Sequence, residues 1–152
     1  MTKLRSIADL AIVTDDERIV LSHGCFDCLH IGHIRHLQQA KAMGSILIVT
    51  VTPDRFVNKG KGRPVFNESV RVEMIAALEC VDYVAINEWP TAVEAIREIM
   101  PTIFVKGAEY RDRPTLMLED ERRAVEFVGG ELVFTDGDEC HTTDILRMYA
   151  GS

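Results

Sequence analysis

The chain has 152 residues, 47% of them hydrophobic, which suits a single domain with a real core. A net charge of −7 argues against general nucleic-acid binding, which draws on a basic face. No apolar run approaches the roughly 20 residues that span a bilayer, and Met1-Thr2-Lys3-Leu4-Arg5-Ser6 lacks the apolar stretch of a signal peptide, so no membrane role and a cytoplasmic location are expected.

The first strong element is Ile19-Val20-Leu21-Ser22, an apolar run that predicts a short buried strand. It leads into His23-Gly24-Cys25-Phe26-Asp27-Cys28-Leu29-His30-Ile31-Gly32-His33. Then come Ile34, Leu37, Ala40 and Met43, an apolar stripe at helical spacing. Gly24 therefore falls at a strand's end, and His30 and His33 fall at or just inside a helix's start. Two imidazoles and the open backbone N–H groups of a first helical turn then face one spot, which suits a phosphate. Gly32, between the histidines, leaves room for a ligand against the backbone. Cys25 and Cys28 form a C-x-x-C pair. A redox dithiol fits the order of elements poorly. Zinc held by Cys25, Cys28, His30 and His33 would crowd its ligands into one short stretch, so small reduced thiols are the expectation.

Downstream, strand and helix patterns alternate. Strands are expected over 46–52, 83–86, 103–105 and 131–134, and helices over 31–43, 68–78, 91–100, 118–128 and 142–149. The 46–52 strand is nearly all apolar and β-branched, as in a strand covered on both faces. Gly44, Pro101 and Gly129-Gly130 end helices, and Thr91 with Glu94 reads as a capping box. The alternation predicts an α/β fold, a Rossmann-like three-layer sandwich on a parallel five-stranded sheet. Such sheets bind ligands at the carboxyl ends of their strands. His23-Gly24, the loop after Thr52, Lys106-Gly107 and the segment 136–143 all fall at that end. Lys59, Lys61 and Arg63 in one stretch, and Lys106, Arg111 and Arg113 in another, gather cations there on an acidic protein.

The stretch from His23 to His33 resembles the cytidylyltransferase-like nucleotidyltransferases, marked by a Gly-x-Phe-Asp segment followed by His-x-Gly-His. Asn58-Lys59-Gly60-Lys61-Gly62-Arg63-Pro64-Val65 is similar to that family's lysine loop, and Ala77-Leu78-Glu79-Cys80-Val81-Asp82-Tyr83-Val84 to its helix-to-strand junction. Phe104-Val105-Lys106-Gly107-Ala108-Glu109-Tyr110 and His141-Thr142-Thr143-Asp144-Ile145 look like its two later nucleotide-facing segments. The resemblance covers residues 18–149 and is nearest to the heptose-1-phosphate adenylyltransferases and to cytidylyltransferase domains fused to other enzymes. It fits one nucleotidyltransferase domain over residues 1–152, standing alone or within a longer multifunctional enzyme. His141 and Glu139 depart from the family's usual Ser and Gly. Asp136-Gly137-Asp138 also lacks the arginine of the glycerol-phosphate branch, which counts against that branch.

The resemblance implies transfer of a nucleoside monophosphate from CTP or ATP, CTP narrowly preferred, to a small phosphate- or phosphonate-bearing acceptor, with release of pyrophosphate. It casts His30 and His33 as donors to the phosphates, and Lys59 or Lys61 as the clamp on triphosphate or acceptor. Gly24, Cys25, Phe26 and Gly32 would line the nucleotide site, and Lys106, Gly107 and Glu109 would lie near base or ribose. Thr142 and Thr143 would offer hydroxyls and amides to phosphate, or form an ordinary N-cap. Asp27 would hold a metal or, preferably, fix the turn. Arg63 and Arg71 are acceptor candidates, with an ion pair to Glu68 as the plainer role for Arg71. Trp89-Pro90 is a base platform or, more simply, a buried anchor. Mg²⁺ would be held mainly by phosphates, and a homodimer is implied. The rival reading is a non-catalytic nucleotide-binding module. Loss of His30, His33 or both lysines would favour it, and all are present.

Overall fold

The computed structural model describes residues 3–11 and 17–137. The expected helix over 142–149, with Thr142 and Thr143, lies outside the described residues, as do Glu139, Cys140 and His141. The described elements, in chain order, are α1 (Ile7–Leu10), β1 (Ile19–Gly24), α2 (Ile31–Ala42), β2 (Ile46–Val51), α3 (Glu68–Ala76), β3 (Tyr83–Ile86), α4 (Val93–Ile99), β4 (Ile103–Lys106), α5 (Leu116–Phe127) and β5 (Glu131–Phe134), with short 3₁₀ turns at Asp54–Phe56 and Ala108–Tyr110.

The strands form one sheet in the order β3-β2-β1-β4-β5, and every pairing is parallel. Side chains alternate between the two faces, as strand geometry requires. Val20, Leu47, Val49, Val51, Ile103 and Val105 pack on one side against Leu37 and Ala40 of α2 and Val72 and Ile75 of α3. Ile19, Leu21, Ile48 and Phe104 pack on the other against Leu10, Ile96, Ile99, Ala124 and Val125, from α1, α4 and α5. Trp89 joins this second cluster, so it is an anchor rather than a base platform. The result is the expected Rossmann-like sandwich.

Two local expectations are corrected. α4 begins at Val93, with Ala92 at its N-cap and no side-chain cap bond there. Thr91 Oγ1 accepts only a long bond from Val93 N–H, at 3.3 Å, and the Ala92 N–H is met instead by Glu121 of α5, also at 3.3 Å. A partner from a packed neighbour has replaced the local capping box. The short α1 was not foreseen. Ser6 caps it by accepting from Asp9 N–H at 3.1 Å, and Ile7 and Leu10 are buried. Ahead of it, Lys3 and Arg5 bond through their backbones to Val84 and cover the free edge of β3.

Arg71 is the third correction. It is fully buried and pairs not with Glu68 but with Asp54, Nη2 to Oδ1 at 2.7 Å. Its Nε donates to Phe66 O at 2.9 Å, and its Nη1 to Cys25 O at 2.9 Å and Thr52 O at 2.7 Å. The guanidinium thus staples the turns after β1 and β2 to the start of α3 and shows no face to an acceptor. Replacing it with Leu should cost about 3–5 kcal/mol of stability in urea unfolding, because buried carbonyls lose their donors. Arg71→Lys should recover little, since an ammonium lacks the planar fork.

Candidate active site

β1 has β2 on one side and β4 on the other, so the strand order reverses beside it. A crevice opens at the carboxyl ends of strands at such a reversal. Here it holds a cavity of about 160 Å³ lined by His23, Gly24, Cys25, Phe26, His30, Gly32, His33, His36, Lys59, Val105, Lys106, Gly107, Glu109 and Tyr110.

His30 is the N-cap of α2, and its Nδ1 accepts from Gly32 N–H at 3.1 Å. His33 Nδ1 accepts from His30 N–H at 3.2 Å, which closes a reciprocal capping box made of two imidazoles. An Nδ1 that accepts carries no proton, so in each neutral ring the proton sits on Nε2. The rings stack at 3.8 Å between centroids, and Phe26 meets His33 edge-on at 5.5 Å. The backbone N–H groups of His30, Gly32 and His33, expected to face a phosphate, are therefore met by the rings. The two rings themselves line the cavity in their place.

The turn that delivers these rings is tight. Phe26 and Cys28 have φ values of 52° and 58°, a left-handed conformation that costs a non-glycine residue about 1 kcal/mol or more. A Cβ on Gly24 would come within 3.0 Å of the Phe26 ring, so a side chain there would displace the ring that packs on His33. Asp27 sits between the two strained residues and is almost fully buried. Its Oδ2 accepts from Arg63 Nε at 2.7 Å and Val65 N–H at 2.8 Å, and its Oδ1 from Phe66 N–H at 3.1 Å. These bonds outweigh the effect of burial and hold the carboxyl below its usual range. Asp27 thus fixes the turn and anchors the lysine loop, and it does not line the cavity. Arg63 is tied to it. Along that loop, Lys59 reaches the cavity and Lys61 does not, while Gly60 and Gly62, at φ 98° and 81°, supply the positive-φ bends.

The floor holds two histidines that sequence reasoning did not single out as site residues. His23 Nδ1 lies 2.9 Å from Thr50 Oγ1. His36 bridges Ser22 Oγ at 3.1 Å and Thr135 Oγ1 at 2.9 Å. Burial first, and the Lys106 ammonium second, push His23 down to about 3 and His36 to about 4 from the ordinary 6.5. Both are neutral near pH 7. The signal for His36 was its spacing, since His30, His33 and His36 lie three residues apart along one helix face. Lys106, at the end of β4, lies over the Tyr110 ring at 4.8 Å and 3.8 Å from Glu121. Nothing in the sequence pointed to Glu121, because it occupies a position in the buried stripe of α5 that reads as core. Cys25, Cys28 and Cys80 are in no disulfide, and among the described residues no group of three His, Cys, Asp or Glu side chains is placed to hold a metal ion.

A sheet wound this way, with a histidine- and lysine-walled crevice at the reversal of strand order, places the chain among the α/β nucleotidyltransferases. The family model for cytidylyltransferase-like proteins matches residues 21–148, and the chain belongs to that family. It is 39% identical over 132 residues to the bifunctional protein HldE of Helicobacter pylori (strain ATCC 700392 / 26695), covering 84% of this chain and 29% of that protein. It is 38% identical over 156 residues to the bifunctional protein HldE of Pelobacter propionicus, covering 96% and 31%. The chain thus spans less than a third of either curated relative. A crystal structure of the lipopolysaccharide core biosynthesis protein from Thermoplasma volcanium superposes with a TM-score of 0.64 at 25% identity, covering 82% of this chain and 99% of that one. Pantothenate synthetase from Thermus thermophilus, at 17% identity and a TM-score of 0.60, shares the fold. No helix among the described residues is long and apolar enough to cross a membrane.

The depressed histidines make stability pH-dependent. The unfolded chain takes up protons at His23 and His36 below about pH 6.5, whereas the folded chain resists until about pH 4 and about pH 3. Stability is therefore full above pH 6.5 and falls as pH drops through that window. The urea midpoint should be lower at pH 5 than at pH 7.5, and in a His23→Asn/His36→Gln variant this difference should shrink.

Proposed function

We propose that this domain transfers an adenylyl group from ATP to the phosphate of a sugar phosphate of the heptose 1-phosphate type, releasing pyrophosphate. The geometry that carries the reading is the His30–His33 pair, whose Nδ1 atoms are held by backbone and whose rings line the cavity. An acceptor phosphate oxygen is already anionic near neutral pH and needs no strong base. It attacks the α-phosphorus, a P–O bond forms, the bond to the bridging oxygen breaks, and pyrophosphate leaves with the electron pair. The difficulty is charge, and preformed donors address it. The imidazole N–H groups meet oxygens of the transferring group, and Lys59 meets the departing phosphates. Lys106, Gly107 and Glu109 serve base or ribose.

The preference for ATP over CTP draws support from the likeness to HldE proteins along most of the chain, and from the resemblance of the Lys106–Tyr110 segment to the adenylyl branch. It replaces the narrow preference for CTP that the family at large suggests. Mg²⁺ would come with the triphosphate. Both Asp27 oxygens are engaged, and phosphate oxygens with water suit this ion, so no dedicated protein cage is needed. We further take the chain to be one nucleotidyltransferase domain, cytoplasmic by default, and dimeric on the strength of the resemblance alone.

The test is pyrophosphate release with ATP or CTP against a panel of sugar 1-phosphates, polyol phosphates and phosphonates. ATP with a sugar 1-phosphate should turn over fastest. Faster turnover with CTP would overturn the choice of base, and nucleotide binding without turnover on any acceptor would favour a regulatory module. His30→Asn and His33→Asn keep an acceptor at the Nδ1 position and remove the Nε2 donor. Each should lower kcat by about 10²–10³ at unchanged thermal stability. Lys59→Ala should cost more activity than Lys61→Ala.

A further inference from the structure

We propose that Glu121, buried in α5, is a positioning residue that fixes the Lys106 ammonium on the α5 side of the nucleotide cavity. The proposal rests on the reading of that cavity as a nucleoside triphosphate site. Glu121 is 1% exposed and falls on the stripe with Leu118, Ala124 and Val125 that packs α5 onto the sheet. An apolar side chain at this position would serve stability as well or better, because a buried carboxylate loses several kcal/mol of hydration. Its surroundings show what the carboxylate does instead. One oxygen accepts from Ala92 N–H at the start of α4 at 3.3 Å, and the other lies 3.8 Å from Lys106 Nζ.

Lys106 shares the sheet face of Phe104, two residues earlier, and so leans toward α5. Its side chain is only 12% exposed, and its Nζ lies over two rings, Tyr110 at 4.8 Å and Phe104 at 5.6 Å. Those rings restrain the ammonium, and Glu121 supplies a fixed counter-charge. Glu121 is itself held by the backbone of α4, so the lysine is tied to two packed helices rather than to a mobile surface group. This arrangement leaves one cation at a defined place in the wall. A flexible lysine would have to be ordered by the nucleotide at an entropic cost.

The test is a double-mutant cycle on MgATP affinity, measured by calorimetry with Glu121→Gln, Lys106→Met and the pair. In Glu121→Gln the amide oxygen still accepts from Ala92 N–H, while the amide nitrogen faces the ammonium, donor against donor. Glu121→Gln should weaken binding about tenfold, with thermal unfolding close to that of the parent. Lys106→Met should weaken it at least as much, and adding Glu121→Gln to it should change nothing further. A loss from Glu121→Gln that persists in full beside Lys106→Met would overturn the proposal, as would parental binding by either single variant. Turnover by the parent chain tests the triphosphate reading separately. If the parent neither binds nor turns over any nucleoside triphosphate, that reading fails; if it does both and the cycle is additive, only the role of Glu121 fails.

Discussion

The site depends on one capping box, the reciprocal exchange between the imidazoles of His30 and His33 and each other's backbone N–H groups, with Gly32 N–H adding a further bond to the His30 ring. A helix start leaves donors open, and a hydroxyl or carboxylate commonly meets them. Here the acceptors are ring nitrogens. That choice has two effects at once. It begins α2 where β1 has ended, and it fixes the tautomer of both rings, so that each N–H is set before any ligand arrives. Preformed dipoles of this kind need no reorganisation when charge develops.

Around this fixed pair the cavity is graded in charge. Its floor is neutral, because His23 and His36 are buried beside the Lys106 ammonium and held far below their ordinary range. Among the described lining residues, Lys59 on the loop and Lys106 on the strand end bring positive charge, and the latter is partly offset by Glu121. Protonated histidines in the floor would add anion affinity but would also carry the cost of burying charge. Keeping them neutral leaves hydrogen-bond geometry, rather than net charge, to define that part of the wall.

Much of this was legible in the sequence. The apolar runs of β1 and β2, the helical stripe from Ile34 to Met43 and the strand-by-strand alternation were enough for the sheet, because burial on both faces leaves a strong pattern. His30, His33, Lys59 and Lys106 fell where strand ends place them. What was not legible were partnerships between distant segments. Arg71 has the spacing of a surface ion pair with Glu68, yet it is satisfied by carbonyls from two other turns. Asp27 has the chemistry of a metal ligand, yet three donors from the lysine loop claim it. Thr91 and Glu94 have the spacing of a capping box, yet Glu121 serves that helix start. A local pattern is a statement about propensity, and tertiary contacts override it wherever a better partner is packed nearby.

The same contacts explain how a rigid wall and an adaptable loop coexist. Asp27 binds the far end of the lysine loop at Arg63, Val65 and Phe66, and Arg71 binds the turn after β2 from beneath. Both ends of the segment that carries Lys59 are therefore tied to the turn that carries the histidines. Between the ties, Gly60 and Gly62 allow bends that other residues resist, and the side chain of Lys59 is exposed. On the proposed reading, a triphosphate entering the crevice would meet imidazoles that are already in place and a lysine followed by glycines at positive φ. The division follows from the chemistry: donors to the transferring group gain from being fixed, whereas a clamp must admit the nucleotide before it closes on it.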